Sequence, residues 1–433
     1  MMSSVCKPNA NNELACIGLK TFAMTASLVR ACGPLSVSCN ELLSRARLCV
    51  RRMRLFSSAV APGTKVGDDF ASILFIVPAQ LGDVFLSTPA IRAARQRWPQ
   101  ARIDVLGFAG TLGLLEGNPD VDNLVEIRPS SESNWKTALG EACPVWRRYD
   151  LALVARTSDR AHLVGWLAAR QRSALLPSRG KGRNWKARAA QQGFEARGLP
   201  VVLSNFALLS PWVKAPLTLS LQPPPSLPLP TRLEAQLRRP SVVVHVPSMW
   251  RYKQWPIAYF RHVVEALLTD GVQVLLTGGA SANDQALVAA MRGVGTEPNM
   301  IEVAGALRLP QLRTLLERVD AYLGPDTSIT HLAAAVGVPI VTVFGPSWPD
   351  YFGPWPREHP PTNPWLRRGQ RQQVGNIVVL QGPDRSDRPQ CVPCNRMGCQ
   401  HRSDSLSHCL ENLAPERVLV ELRRLLRESA ARG

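Results

Sequence analysis

The 433-residue chain contains no Gly-x-Gly-x-x-Gly motif. That motif forms the phosphate-binding turn of nicotinamide and flavin enzymes, so its absence removes the main support for a dinucleotide-dependent oxidoreductase. The amino-terminal segment also lacks a long apolar run. Its longest uncharged runs, residues 21–29 and 31–40, are shorter than the roughly 20 apolar residues of a membrane span. It has no compact apolar core with a small-residue cleavage site either, so we expect a cytoplasmic protein without an export signal.

Acidic residues are scarce in this chain, with 33 Asp and Glu against 51 Lys and Arg, and the net charge is +18. The imbalance is strongest in residues 1–66, which hold nine basic and two acidic residues and five of the ten cysteines. We predict that residues 1–70 form a disordered or mis-started basic extension, with a transit peptide as the alternative. The rest of the chain is long and apolar enough for two globular cores.

Apolar runs typical of buried parallel strands recur in both halves of the chain, at residues 72–77, 241–246, 272–277 and 339–344. Helical patterns alternate with them, while seven prolines between residues 211 and 230 indicate a semi-rigid linker. The predicted fold class is therefore α/β, with two Rossmann-like domains facing across a cleft. The predicted boundaries are an N-terminal domain at 71–215, a linker at 216–232, a C-terminal domain at 233–415 and a C-terminal helix at 416–433.

Two further segments are interpreted from composition. Residues 156–197 carry ten basic residues and two acidic ones and are expected to form amphipathic helices with a loop. Residues 347–387 are polar and rich in Pro and Arg, and are expected to be a loop.

Polar loops follow the first predicted strand of each half, where parallel sheets bind their ligands. Asp83, in the first loop, would place a carboxylate in the cleft as a general base, or would only cap its helix. Arg251 and Lys253, in the other loop, would place positive charge beside a leaving pyrophosphate, or would be surface charge.

The segment from Gly324 to His331 leaves a short apolar strand and opens a helix. Its Asp326, Thr327 and Ser328 are residue types that begin helices, where free backbone N–H groups bind phosphate. A plain helix cap is the alternative interpretation. The nearby charge of Lys253 and a glycine pair at 278 and 279 favour phosphate binding.

Four blocks of sequence carry a family resemblance. They are Leu81-Gly82-Asp83-Val84 with Thr88-Pro89-Ala90, Lys253-Gln254-Trp255-Pro256, Leu276-Thr277-Gly278-Gly279, and Asp326-Thr327 through His331-Leu332-Ala333-Ala334-Ala335 to Val343-Phe344-Gly345-Pro346. In this order they resemble the lipopolysaccharide heptosyltransferases of glycosyltransferase family 9, over residues 72 to about 425.

The resemblance implies a GT-B fold and an inverting, metal-independent transfer that requires no cofactor. The C-terminal domain would hold the nucleotide-sugar donor, ADP-heptose, and the N-terminal domain an inner-core sugar of lipopolysaccharide. The final helix, after Pro415, would pack back on the N-terminal domain.

The resemblance also implies roles for individual residues. Asp83 would deprotonate the acceptor hydroxyl, and Lys253 would offset charge on the donor phosphates. The implied donor-binding residues are Ser248, Gly278, Gly279, Asp326, Thr327, Ser328 and His331. Pro325 and Ser328 depart from the Asn and Gly usual in the family. Because Ser328 adds a side chain beside the expected pyrophosphate, the sequence predicts a nucleotide sugar more firmly than ADP-heptose itself.

Basic residues at 179, 181 and 183 are the candidate acceptor-binding groups. Arg179, Lys181 and Arg183 would contact phosphates of the lipid-linked acceptor or the inner membrane surface, or would only form a solvated face. No nucleic-acid partner is expected, although a non-catalytic basic binding protein on the same fold is an alternative, as is a family member with another nucleotide sugar or acceptor.

Four cysteines near the carboxyl terminus have the spacing C-x2-C-x4-C-x9-C, at Cys391, Cys394, Cys399 and Cys409. The spacing fits a structural zinc or iron site, and free thiols are the alternative interpretation.

Overall fold

The computed structural model describes residues 68–129, 140–180, 182–195 and 198–431. They belong to one compact unit, Val66–Gly433, whereas a first unit, Met1–Lys65, lies outside the described residues, as does most of the predicted basic extension. At the start of the described chain, Phe70 is buried in edge-on contact with the rings of Trp98 and Trp212. Residues next to the first strand are therefore part of the folded unit.

The N-terminal sheet consists of six parallel strands. They are β1 (Ser72–Ile76), β2 (Arg102–Phe108), β3 (Asn123–Ile127), β4 (Tyr149–Val154), β5 (Ala169–Leu176) and β6 (Gln192–Glu195). The helices are α1 (Leu81–Phe85), α2 (Thr88–Arg97), α3 (Asp159–Ala168), α4 (Arg183–Ala189) and α5 (Val201–Ala207). The spatial order of the strands is β3-β2-β1-β4-β5-β6.

The C-terminal sheet has seven strands, of which the edge strand β12 is antiparallel to its neighbour and the others are parallel. The strands are β7 (Ser241–His245), β8 (Gln273–Thr277), β9 (Met300–Glu302), β10 (Ala321–Pro325), β11 (Ile340–Phe344), β12 (Arg371–Val374) and β13 (Ile377–Gln381). The helices are α6 (Thr231–Gln236), α7 (Ile257–Thr269), α8 (Ala282–Ala289), α9 (Leu309–Arg318), α10 (Ser328–Val336), α11 (Pro349–Phe352), α12 (His408–Glu411) and α13 (Pro415–Ala430).

Both sheets follow the strand order of a Rossmann fold. In each, the first strand is central, the next two lie on one side of it, and the fourth and fifth lie on the other, so the chain direction switches between the first and fourth strands. Strands such as β7, β8 and β11 are buried along their whole length because helices cover both faces of the sheet. The predicted α/β architecture with two Rossmann-like sheets is confirmed.

The expectation for residues 156–197 is correct for its helices, α3 and α4, but misses two strands, and the expectation of a loop at 347–387 is wrong. The basic segment 156–197 contains β5 and β6, and the segment 347–387 contains β12 and β13. The first half of β5 carries charged residues, so composition does not indicate a strand there. Arg172, within this half, donates to the carbonyl of Ala169 at the start of the same strand. β13 is a five-residue apolar run within a long polar stretch, too short to dominate the composition of its surroundings.

The described residues 211–230 form neither helix nor strand, and backbone hydrogen bonds fix them to both domains. The amide of Gln222 donates to the Thr88 hydroxyl over 3.0 Å, and the Thr314 hydroxyl donates to the carbonyl of Leu227 over 2.7 Å. The domain boundaries stay a prediction.

The final helix, α13, packs on the C-terminal sheet, so the expectation that it returns to the N-terminal domain is wrong. Leu422 and Leu425 are fully buried in one apolar cluster with Val263 of α7 and Leu323 of β10. An ion pair of 2.6 Å between Arg423 and Asp270 lies on the same side. The apolar stripe of α13 packs against the apolar face of α7, and both are buried in this contact.

A second apolar cluster includes residues of both domains, among them Phe85 of α1 and Ile329 of α10. The two domains therefore share part of their core. None of the helices in the described part of the chain is both long and apolar enough to span a bilayer.

Candidate active site

Each sheet presents an acid–base pair of side chains at its own switch point. In the N-terminal sheet, Asp83 follows β1 and Arg156 follows β4; in the C-terminal sheet, Lys253 follows β7 and Asp326 follows β10. The loops after these strands diverge at the carboxyl edge, which is where open α/β sheets bind ligands. The strand order thus brings together residues that are 73 positions apart in both cases.

The N-terminal pair joins a very short helix to the loop after β4. Asp83 is in α1, and its Oδ2 lies 2.5 Å from Nη2 of Arg156. Both side chains are about three-quarters buried. The Nε and Nη2 atoms of Arg156 are buried without a hydrogen-bond partner of good geometry among the described residues. The arginine therefore contacts the carboxylate through Nη2, while its Nε has no partner among the described residues.

The C-terminal pair is more buried. Nζ of Lys253 donates to Oδ2 of Asp326 over 2.6 Å, and the Asp326 side chain is only 7% exposed. Burial would lower the pKa of Lys253, but the charge of Asp326 and its hydrogen bond, with smaller effects of Tyr252 and Asp83, together raise it. Burial likewise opposes ionisation of Asp326, yet Lys253 and a hydrogen bond from Ser347 hold its pKa below the usual value.

The Lys-Gln-Trp-Pro block explains how Lys253 is positioned. Gln254 accepts from the amide of Ser248 and donates to the carbonyls of Val246 and Trp255, so one side chain braces the whole loop. Trp255 is fully buried and donates to the carbonyl of Leu413 over 3.1 Å. These contacts present Lys253 at the end of the short 3₁₀ turn Arg251–Lys253.

The two domains meet where α1 faces the start of α10. A Cβ atom on Gly82 would lie 3.4 Å from both Cδ2 of His331 and Cα of Ser328, so the absence of a side chain allows this close approach. The negative charge of Asp83 acts to raise the pKa of both His331 and Lys253, so the three groups lie near one another. Burial lowers the pKa of His331, and its Nδ1 has no partner among the described residues.

Helix α10 begins at Ser328, with Thr327 at the N-cap position in extended conformation. The prediction that Thr327 caps this helix is wrong in one respect: no side-chain capping hydrogen bond is formed within the described structure. Its hydroxyl instead lies 3.5 Å from that of Thr330. The N–H groups of the first turn are consequently uncapped by a side chain and available to an anion.

The glycine pair lies after β8, beside β7. The amide of Gly279 donates to Asp284 over 2.9 Å, and Ser281 caps α8 by accepting from the amide of Asp284. Ser248, at the end of the loop after β7, is buried. Ser248 and Gly279 thus lie on the loops that follow the adjacent strands β7 and β8, and the Asp284 carboxylate accepts from both Gly279 and Ser281.

The candidate acceptor residues have different surroundings. Arg179 lines a pocket of about 380 Å³ together with Thr157, next to Arg156, and with Tyr351 of the C-terminal domain. Arg183 pairs with Glu195 at 2.8 Å and does not line that pocket. Lys181 lies outside the described residues. Of the two described residues, Arg179 lines this cavity and Arg183 does not.

The four cysteines near the carboxyl terminus are free thiols in this structure, and Cys409, in α12, is buried. Burial, followed by the neighbouring Cys394 and Cys399, raises the pKa of Cys409 to about 12. Within the described residues no group of three or more His, Cys, Asp or Glu side chains is arranged to hold a metal ion. A structural metal site therefore stays a prediction from the cysteine spacing.

Sequence reasoning missed three polar residues of the site. Arg156 pairs with Asp83, Ser347 hydrogen-bonds Asp326, and Asp284 holds Gly279. Arg156 follows a strand end just as Asp83 does, and that position was the available signal. Ser347 follows the Val343-Phe344-Gly345-Pro346 block directly.

Two Rossmann-type sheets with their switch-point loops in contact are the architecture of the GT-B fold. A family model described as glycosyltransferase family 9 (heptosyltransferase) matches residues 145–368. The chain belongs to this family.

Sequence relatives agree with this assignment, and a solved structure has a similar fold. The chain is 28% identical to lipopolysaccharide heptosyltransferase 3 of Escherichia coli over 284 residues, which is 63% of this chain and 83% of the relative. It is 25% identical to lipopolysaccharide heptosyltransferase 1 of Pseudomonas aeruginosa over 385 residues, or 82% and 98% of the two chains. The structure of E. coli ADP-heptose lps heptosyltransferase II superposes with a TM-score of 0.59 and 22% identity, over 83% of this chain and 99% of the other.

Proposed function

We propose that this protein is an inverting glycosyltransferase that moves heptose from ADP-heptose to an inner-core sugar of lipopolysaccharide. The names of the sequence relatives support heptose transfer to lipopolysaccharide. The donor is assigned to the carboxyl edge of the C-terminal sheet and the acceptor to that of the N-terminal sheet.

The proposed reaction is a single in-line displacement. Asp83 accepts the proton of the acceptor hydroxyl, the hydroxyl oxygen bonds to the anomeric carbon, and the bond from that carbon to the β-phosphate oxygen breaks. ADP leaves with the electron pair. Lys253 and the uncapped start of α10 stabilise the negative charge that develops on the pyrophosphate, which removes the need for a metal ion at this step.

Asp326 has two tasks in this proposal. Its ion pair holds Lys253 in place, and its second carboxylate oxygen can accept from a hydroxyl of the transferred sugar. His331, neutral because burial lowers its pKa, lines the space between the base and the donor. A neutral imidazole there does not compete with Lys253 for Asp326.

The observation that most directly supports the proposal is the close approach of Gly82 to the start of α10. It brings the loop with the candidate base against the loop with the candidate donor site. Each loop alone fits a helix cap or an ion pair. The contact between them fits a reaction in which the two substrates come from opposite domains.

Replacement of the candidate base tests the function directly. We expect Asp83→Asn to lower the turnover number for transfer by about 10²–10⁴-fold, because the amide cannot take the proton. The affinity for ADP, measured by calorimetry, should stay within about twofold because Asp83 does not touch the donor phosphates in this scheme. Near-full turnover by the variant would show that Asp83 is not the base.

Asp270→Asn provides a matched control. Asp270 also pairs with an arginine, Arg423 at 2.6 Å, but it follows α7 and therefore lies at the amino edge of the sheet. Loss of an equivalent ion pair there should leave transfer unchanged. A similar loss of transfer in both variants would indicate a general effect of breaking an Asp–Arg pair.

The alternative is a different nucleotide sugar as donor, because Ser328, at the first position of α10, replaces the glycine usual in the family. Thermal-shift measurements with ADP-heptose, UDP-sugars and GDP-sugars separate the two. A larger stabilisation by ADP-heptose supports the proposal, and a larger stabilisation by a UDP- or GDP-sugar supports a member of the family with another donor.

A further inference from the structure

The segment that follows β11 contacts both members of the C-terminal ion pair. Ser347 hydrogen-bonds Asp326, and the ring of Phe352, at the end of α11, has its centre 5.6 Å from Nζ of Lys253. A phenyl ring at this distance attracts an ammonium group through the negative face of its π system. One short segment therefore holds the carboxylate by a hydrogen bond and the ammonium group by an aromatic ring.

The ammonium group of Lys253 has hydrogen-bonding capacity that the ion pair does not use. It carries three N–H bonds, and among the described residues Asp326 is the one group that accepts from it. The ring of Phe352 covers a side of the ammonium group that water would otherwise hydrate, and the lysine side chain is only 20% exposed. The N–H bonds that remain are available to the phosphates of a bound donor.

Phe352 is itself held in place by its neighbours. The ring of Tyr351 packs edge-on against it, with the ring centroids 4.6 Å apart. The next residue, Gly353, donates its amide to the carbonyl of Pro349 over 2.8 Å and lies so close to the ring of Trp365 that a Cβ atom would not fit. Because the ring is already ordered by these contacts, it can restrict the lysine at little further cost in conformational entropy.

Packing alone is the alternative role for Phe352, since its side chain is partly buried against the apolar cluster that includes residues of both domains. The two roles require different chemistry. Packing requires an apolar side chain of similar volume, which leucine supplies as well. An effect on the Lys253 ammonium group requires the face of an aromatic ring, which leucine lacks. Substitutions that differ in this property therefore distinguish the two roles.

We propose that Phe352 is a positioning residue of the donor site, which keeps the ammonium group of Lys253 partly dehydrated and oriented toward the donor phosphates. The inference rests on the proposed function, because it assigns the phosphates on Lys253 to the donor of that reaction. It adds an aromatic side chain to the polar groups of the site. Without the ring, Lys253 gains water and rotational freedom, both of which are lost again when ADP binds.

Replacement of Phe352 by leucine and by tyrosine in the full chain tests the proposal. By calorimetry, we expect Phe352→Leu to bind ADP about three- to tenfold more weakly than the wild type, the loss that corresponds to immobilising one long side chain on binding. Phe352→Tyr should bind ADP more tightly than Phe352→Leu, because it keeps the aromatic face. Equal ADP affinities of the two variants would overturn the inference.

Phe70→Leu provides a matched control. Phe70 also packs edge-on against aromatic rings, those of Trp98 and Trp212, but it precedes β1 and therefore lies at the amino edge of the N-terminal sheet. The same exchange at this position should leave the affinity for ADP unchanged. An equal loss of ADP affinity in Phe70→Leu and Phe352→Leu would indicate a general effect of losing a packed ring and would refute the assignment.

Thermal unfolding without any ligand separates this inference from the proposed function. The losses of melting temperature in Phe352→Leu and Lys253→Met should not add up in the double variant, because each substitution removes the same contact between ring and ammonium group. Additive losses in a protein that binds ADP and transfers heptose would overturn the inference alone. Non-additive losses in a protein that does not transfer heptose would overturn the proposed reaction, while the positioning of Lys253 by Phe352 stands.

Discussion

At the scale of single residues, the pair of Lys253 and Asp326 is the more buried of the two ion pairs described in the candidate site. Neither side chain is free to reach bulk water, since they are only 20% and 7% exposed. A buried ion pair contributes little net stability relative to an apolar pair, but removal of one partner leaves an uncompensated charge. The pair therefore restricts which substitutions the site tolerates.

Lys253→Met is expected to lower the free energy of unfolding by about 2–4 kcal/mol, because Asp326 is left buried and unpaired. The double variant Lys253→Met with Asp326→Asn should recover part of this loss, since it removes the stranded charge. Urea unfolding of the three proteins measures both effects. Equal stabilities of the single and double variants would show that loss of the lysine does not leave Asp326 as a costly unpaired charge.

The same pair predicts a pH dependence. The pKa of Asp326 is lowered in the folded protein, so its contribution is present above its unfolded value near 3.8 and is lost as the pH falls through the folded value. The pKa of Lys253 is raised, so its contribution is present below about 10.5 and lost at higher pH. The wild type should thus lose melting temperature relative to the double variant on acidification below about pH 4.

At the scale of secondary-structure elements, the contact between α1 and α10 determines whether the two half-sites meet. Gly82→Ala should be tolerated, because the added Cβ would lie in ordinary contact, 3.4 Å from His331 and Ser328. Gly82→Val adds two methyl groups to the same space and should push α1 and Asp83 away from α10. We expect Gly82→Val to lower turnover by about 10²-fold with little change in ADP affinity.

Gly82→Ala is the matched control for that variant, and circular dichroism checks that the fold is retained. Full activity of Gly82→Val would mean that the close approach of the two helices is not required for transfer. Equal loss in both variants would indicate instead that the flexibility of Gly82 matters and not the space around it.

The elements also show what sequence reasoning can reach. Strands β1, β7, β8, β10 and β11 are continuous apolar runs, so they and the loops that follow them could be predicted, with Asp83, Lys253 and Asp326 at the right sheet edge. Arg156 was missed because it joins Asp83 only through the placement of β4 beside β1. The pairing of distant strands is not encoded in any local pattern.

The misplaced elements have a similar cause. The position of helix α13 at the end of the chain does not indicate which domain it packs against. It packs against the apolar face of α7, in the C-terminal domain. Strand β13 is identified by its burial between β11 and β12, a property that exists only once the sheet is assembled.

At the scale of the whole molecule, the net charge of +18 favours an alternative to catalysis, namely the binding of an anionic partner such as nucleic acid. A basic protein binds nucleic acid at low salt whatever its fold, because neutralised phosphates release counterions. The ion pairs at the two switch points contribute no net charge to this effect, since each contains one acid and one base. Binding to nucleic acid and binding of the donor should consequently depend on different parts of the surface.

We therefore expect weak DNA binding that is unrelated to the candidate site. In fluorescence anisotropy with a labelled duplex, affinity should fall by about 10³-fold or more between about 50 and 200 mM salt. ADP affinity should change far less, because it depends on Lys253 and the start of α10, which are partly shielded from solvent. Saturating ADP should not displace the duplex. Displacement by ADP, or DNA binding that persists at the higher salt concentration, would favour a nucleic-acid-binding role for the same cleft over glycosyl transfer.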